Sequence, residues 1–192
     1  MLEGEVTIQV GRPGAENQII QGSPVSATHW DEVEPYIGFP RNKKGLRVLD
    51  VGAGGSNATA RLILAQADAY AVDPRFDNLT LLRQLARISI QRSRDSGHKA
   101  EAASEQRALD EFRRSITRSP DRYRATRGSV LPFDDNFFDL VFSVRALAGY
   151  VDIDPTTFIR SIDECLRVTR PGGKVVLFPF ETNPAHPDPS TA

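Results

Sequence analysis

The residues best placed to do chemistry are the glycines Gly52, Gly54 and Gly55, the carboxylate Asp50 two positions ahead of them, and Asp73 about twenty residues beyond. Glycines after a strand remove side chains where a ligand must approach backbone N–H groups, and a helix that follows aims its N-terminal dipole at the same spot. That chemistry is the binding of a nucleotide-like ligand. The dinucleotide fingerprint asks for a third glycine three residues after the second, and Asn57 stands there, so a pyrophosphate is disfavoured. Asp73, at the end of a second strand, occupies the position that accepts hydrogen bonds from two ribose hydroxyls. A ribose without a pyrophosphate suggests S-adenosylmethionine (SAM).

Other reactive residue types carry less. Cys165 lies on a helical stripe between Ile162 and Leu166 and reads as a small buried residue. One cysteine excludes an internal disulfide, and three scattered histidines without a second thiol fit no zinc spacing, so no metal is expected. His29 and Trp30 either cap a cofactor pocket or form a packed aromatic staple. His98 and His186 read as solvent-facing. Arg145 and Tyr150 are open to two readings each, an anionic substrate or an ordinary surface role.

The elements that must position these groups follow from pattern. Leu46–Val51 is a β-branched apolar run, Asn57–Gln66 is helical, and Ala69–Val72 is a second strand, which together spell a βαβ unit with a parallel pair. Residues 77–118 predict two helices broken near Ser96-Gly97, with Leu79, Leu82, Leu85 and Ile88 on one stripe and Leu109, Phe112 and Ile116 on another. From Arg75 to Arg127 there are 13 Lys or Arg against 7 Asp or Glu, a net of +6. This stretch could clamp an acidic substrate, a nucleic acid or a protein partner, although Arg-rich helices with interspersed Glu usually present a solvated face, and no aromatic interleaving supports RNA stacking. Phe138–Ser143 reads as another buried strand. Asp154-Pro155 supplies an N-cap and first-turn proline, and Pro171-Gly172-Gly173 stops that helix before the strand Lys174–Phe178. Val6–Val10 is a further candidate strand in an otherwise Gly- and Pro-rich lead-in.

Four blocks in order, Val48–Gly54, Ala71-Val72-Asp73, Leu131–Val141 and Glu164–Gly173, resemble the successive motifs of class I SAM-dependent methyltransferases. The resemblance runs from about Leu46 to Phe180. It implies an α/β, Rossmann-like parallel sheet of five core strands, a helical insertion between strands 2 and 3 (77–125), and SAM as cofactor. Carried onto matching positions, it has Gly52, Ala53 and Gly54 line the cofactor, Asp50 lie near its amino group, and Asp73 and Pro74 meet the ribose. Ser129 and Val130 would face the adenine, and Ser143, with Val144 and Arg145, the reacting end. No residue is assigned a catalytic role. Two departures stand out. Arg127 occupies the position where relatives place an acidic partner for adenine, and the final hairpin of the family's seven-stranded sheet is missing.

The expected organisation is a lead-in (1–45), a SAM-binding domain (46–180) and a tail (181–192). A net charge of -1 and 26% charged residues give no overall field for nucleic acid or membrane, and no nucleic-acid partner is expected. No apolar stretch nears the roughly 18 to 20 residues of a membrane helix, and the acidic start lacks a signal pattern, so a cytoplasmic protein is expected. The function implied is methyl transfer to a small-molecule acceptor; the alternative is an inactive binding or assembly module. Without the hairpin, the strand Lys174–Phe178 has an open edge, to be covered by Val6–Val10, by the tail, or, as the favoured outcome, by a homodimer partner.

Overall fold

The computed structural model describes residues 7–10, 29–147 and 154–178. Its strands are β1 (Thr7–Val10), β2 (Arg47–Val51), β3 (Asp68–Val72), β4 (Tyr123–Arg124), β5 (Phe138–Val144) and β6 (Thr169–Phe178). The helices are α1 (Trp30–Ile37), α2 (Ala58–Leu64), α3 (Leu79–Asp95), α4 (Lys99–Arg118) and α5 (Pro155–Val168). All pairings are parallel, in the order β1-β6-β5-β2-β3-β4. This is the expected α/β Rossmann-like sheet of five core strands, with β1 added at one edge.

Central β2 is buried on both faces from Val48 onward, as parallel strands covered by helices must be. Side chains alternate across it. Val48 packs with Trp30, Val33, Ile37 and Leu62 beneath α1 and α2, whereas Leu49 and Val51 pack with Cys165 and Val168 of α5. The α3–α4 pair seals the first face beyond β3, where Leu82, Ala86 and Ile90 meet Leu109, Phe112 and Ile116. Of the expected α3 stripe, Leu82 is buried and Leu79 and Leu85 pack against the same core, whereas Ile88 is exposed; Ala86 and Ile90, four and eight residues after Leu82, complete the buried face.

Three further differences have physical causes. The third core strand, absent from the sequence pattern, is the two-residue β4, too short to show alternation; its register pairs Tyr123 with Ala71 and Arg124 with Val72. Helix α5 ends at Val168, before Pro171-Gly172-Gly173, because Thr169 already turns to extended backbone and its hydroxyl donates to the Cys165 carbonyl (2.6 Å). The Pro-Gly-Gly triplet sits inside β6, where the pairing with β5 shifts register between Phe138 and Leu140. The edge of β6 is paired by β1 of the same chain, Thr7 opposite Lys174 and Val10 opposite Leu177. That edge supplies no reason for a second subunit.

No described helix lies between β4 and β5. Instead, the loop after β4 lays Phe133 and Phe137 against Tyr70 and Phe138, with ring centroids 4.9 to 6.4 Å apart. Arg122, Arg124 and Arg47 stack on Tyr70, Phe133 and Phe137 at 4.5, 4.9 and 4.8 Å from the ring centres. Arg167 of α5 clamps this loop. Its guanidinium donates to the carbonyls of Leu131 (3.0 Å) and Phe133 (2.9 Å), to Asp135 (2.6 Å) and twice to Glu164 (2.6 and 2.9 Å). Glu164 also accepts from the Leu131 amide (2.7 Å). Arg167 above all, with that amide, holds the Glu164 carboxyl below its ordinary range. A lysine lacks the planar fork and cannot reach five acceptors at once. Arg167→Lys is expected to cost about 1 to 2 kcal/mol, because the group is a third exposed and partly screened. Urea unfolding checks it, and an unchanged midpoint would remove Arg167 as the clamp.

Candidate functional site

The site lies at the carboxyl ends of β2, β3 and β5, where the chain must turn without side chains in the way. Gly52 has φ of +75° and Gly54 φ of +54°, the left-handed region that favours glycine. A Cβ at Gly52 would also stand 2.2 Å from the Cβ of Ala146, in the segment that follows β5. The turn is tied to the next strand: the Gly52 and Ala53 amides donate to the Val72 carbonyl at 2.8 and 3.2 Å.

Asp73 completes the turn. One carboxylate oxygen accepts from the Gly54 amide (3.0 Å), and the other from the Arg75 amide (2.8 Å), capping the short 3₁₀ turn Pro74–Asp77. Its own amide donates to the Arg124 carbonyl (3.2 Å). The residue is buried, and each oxygen keeps a further lone pair. Pro74 beside it is exposed.

Asp50, buried on the face that carries Val48, has no such satisfaction. Among the described residues its Oδ2 is without a hydrogen-bond partner, as is the hydroxyl of Thr59 in α2. Burial first, and the nearby Asp73 charge second, push the Asp50 carboxyl up to about 8. Thr59 pulls the other way without reaching bonding geometry. Two orphaned oxygens beside a turn that only glycine can make form a donor-seeking cradle. It fits a ligand that presents N–H groups, as the amino group of SAM does.

Asn57, where the dinucleotide fingerprint would have glycine, is fully buried and structural. Its side-chain oxygen accepts from the Trp30 amide (2.7 Å), and its side-chain amide donates to Glu111 of α4 (2.8 Å). Glu111 in turn takes both prongs of Arg61, at 2.6 and 2.7 Å. Three helices thus meet at one carboxamide. His29 and Trp30 take the staple role: His29 caps α1 by accepting from the Asp31 amide (3.3 Å), and Trp30 packs on Phe39 at 5.0 Å.

The remaining expected residues divide. Ser143 is buried at the end of β5, and its hydroxyl accepts from the Leu147 amide (3.1 Å), so it braces the turn that carries Ala146. Arg145 is exposed with φ of +56°, its amide donating to the Phe178 carbonyl (2.7 Å). The turn holding Ser129 approaches the end of β2, since a Cβ on Gly128 would meet Leu147 and Val51 at 3.0 Å. Val130, however, is 66% exposed, and its amide is spent on the Arg127 carbonyl (3.1 Å). Arg127 is exposed. Tyr150 and His186 lie outside the described residues. Thr59, Ala146 and Glu111 were not legible as site residues. Each acts through a contact 9, 94 or 54 positions away in the chain, and no local motif marks it.

The family model described as a methyltransferase domain matches residues 49–177, two thirds of the chain. The chain belongs to that methyltransferase family. Membership indicates SAM as the cofactor. A comparison with curated proteins gives no match. Among solved structures, the chain is similar to the PH0226 protein of Pyrococcus horikoshii OT3, at 19% identity over 77% of this chain and 54% of that one, with a TM-score of 0.49. It is also similar to a SAM-dependent methyltransferase of Aquifex aeolicus (16% identity, 84% and 70% covered, TM-score 0.43). A third is the YcgJ protein of Bacillus subtilis (18%, 71% and 45%, TM-score 0.37). The chain therefore spans about half the length of PH0226, and these likenesses do not bear on acceptor or activity.

The Gly52–Ala146 approach yields a paired test. Gly52→Ala meets both a left-handed backbone and a neighbour at 2.2 Å, whereas Gly97→Ala has φ of +83° with nothing within 4 Å. The second change is expected to cost about 1 kcal/mol and the first about 3 or more, by unfolding in urea. Equal costs would mean that Ala146 does not crowd the turn.

Proposed function

We propose that this methyltransferase-family chain binds SAM at the glycine turn and transfers its methyl group to a small-molecule acceptor. The observation that carries this reading is the cradle at the strand ends: Gly52, where a Cβ would clash, the half-used carboxylate of Asp73, and the orphaned oxygens of Asp50 and Thr59. Asp73 would accept from the ribose hydroxyls through its remaining lone pairs. Asp50, with Thr59, would take the amino group, whose charge offsets the repulsion between the two carboxylates. Bound SAM supplies an activated methyl on a sulfonium, so transfer is chiefly a matter of alignment and needs no strong base. The end of β5, with Ser143 bracing the turn and Arg145 exposed beside it, would form the acceptor wall. Pro74, Ser129 and Val130 would flank the ribose and adenine.

Calorimetric titration is expected to show SAM binding well below millimolar concentration, the range where binding free energy falls to about 4 kcal/mol. Asp73→Asn keeps one acceptor oxygen for the turn, replaces the other with an N–H donor and removes the charge, and should weaken binding at least roughly tenfold. Absence of binding at millimolar SAM would end the reading; binding without methyl consumption by any acceptor would favour the assembly-module alternative.

The pH dependence follows from Asp50. Its folded carboxyl titrates near 8 against 3.8 in the unfolded chain, so the fold holds a proton that the unfolded chain releases. This contribution to stability is full below about pH 4 and is lost as pH rises through about 8. An ammonium beside Asp50 favours the ionised form, so SAM binding at neutral pH should release a proton and tighten as pH rises toward 8. Calorimetry in buffers of differing ionisation enthalpy reads the proton. Asp50→Asn should abolish the release and flatten the stability slope; a release that survives the change would assign it elsewhere.

A further inference from the structure

The α3–α4 pair carries the excess positive charge of the chain, and part of that charge converges. A groove of about 400 Å³ is lined by Arg83 of α3 and by Asp110, Arg113, Arg114, Thr117 and Arg118 of α4. The α4 residues fall at steps of three and four and so share one stripe, on the side away from buried Leu109, Phe112 and Ile116. Across from them, Arg83 leans in from between buried Leu82 and Ala86.

The groove is short of acceptors. Among the described residues, four guanidiniums face a single carboxylate, a side-chain balance of +3, and that carboxylate, Asp110, pairs with Arg113 at a long 3.7 Å. The Thr117 hydroxyl donates to the Arg113 carbonyl (2.9 Å) and brings no charge. The Nε–H of Arg83 is buried and has no partner among the described residues. A buried donor left unpaired is costly, and like charges gathered on one stripe repel, so the arrangement wants an anion. Guanidinium forks match phosphate oxygens two at a time. A single phosphate would leave the groove positive. Among the described residues, no aromatic ring lines the groove to stack a base.

We propose that this groove is a binding site for a small ligand bearing two or more phosphate groups, held by Arg83, Arg113, Arg114 and Arg118. It is separate from the glycine turn and does not depend on SAM binding.

The test is calorimetric titration of the full chain at low salt with inorganic triphosphate, with orthophosphate and a single-stranded RNA oligonucleotide as further arms. Triphosphate is expected to bind at least about tenfold tighter than orthophosphate and to weaken with added salt. The double variant Arg114→Gln with Arg118→Gln, both residues exposed, should lower triphosphate affinity about tenfold or more while SAM affinity stays unchanged. Arg107→Gln, on α4 but outside the groove, should change neither. Failure of triphosphate to bind at millimolar concentration, or equal loss in the Arg107 variant, would overturn the site. RNA binding tighter than triphosphate would overturn it in favour of a nucleic-acid surface.

Discussion

The bond from the Gly54 amide to the Asp73 carboxylate is the constraint on which the rest of the site depends. It fixes where the chain leaves β2 and where it leaves β3, and both exits belong to one carboxylate because Arg75 caps on its other oxygen. From that point the 3₁₀ turn swings Phe76 onto Phe112 and Tyr123, at 5.8 and 5.6 Å, so α4 and β4 are set by the same junction. Had Asp73 been free in solvent, it would hold neither exit. Being buried and half-used, it does structural work without exhausting its capacity to accept.

Asn57 performs the corresponding service on the other side of the turn. A glycine there would give a dinucleotide-type approach for a pyrophosphate. The carboxamide instead joins α1, α2 and, through Glu111, α4, and it satisfies a buried backbone amide that would otherwise be orphaned. The departure from the fingerprint is therefore a commitment in packing as well as in ligand.

Much of this was legible from sequence where the signal is local. The βα turn announces itself through Gly52 and Gly54, the break between α3 and α4 through Gly97, and α5 through Asp154-Pro155, whose carboxylate does accept from the Thr157 amide (3.1 Å). Features built from pairs distant in the chain were not legible. β4 has two residues and exists through its register with β3. The register of the Pro-Gly-Gly segment depends on β5. The Arg167 clamp joins two motifs that the sequence presents as separate, 32 to 36 positions apart.

The edge of the sheet shows how such distant pairing alters a conclusion. β6 carries buried Val175, Val176 and Leu177, and a strand of that kind cannot be left with one side unpaired. The chain brings β1 from before the core, in parallel, so the last described strand is closed by the first. Lys174 then marks the seam. Its ammonium donates to the Ile37 carbonyl at the end of α1 (2.9 Å), and burial lowers its affinity for the proton. The helix leading into the core and the strand ending it are thus joined by one side chain, and that joint is the residue opposite Thr7 in the register of the new edge.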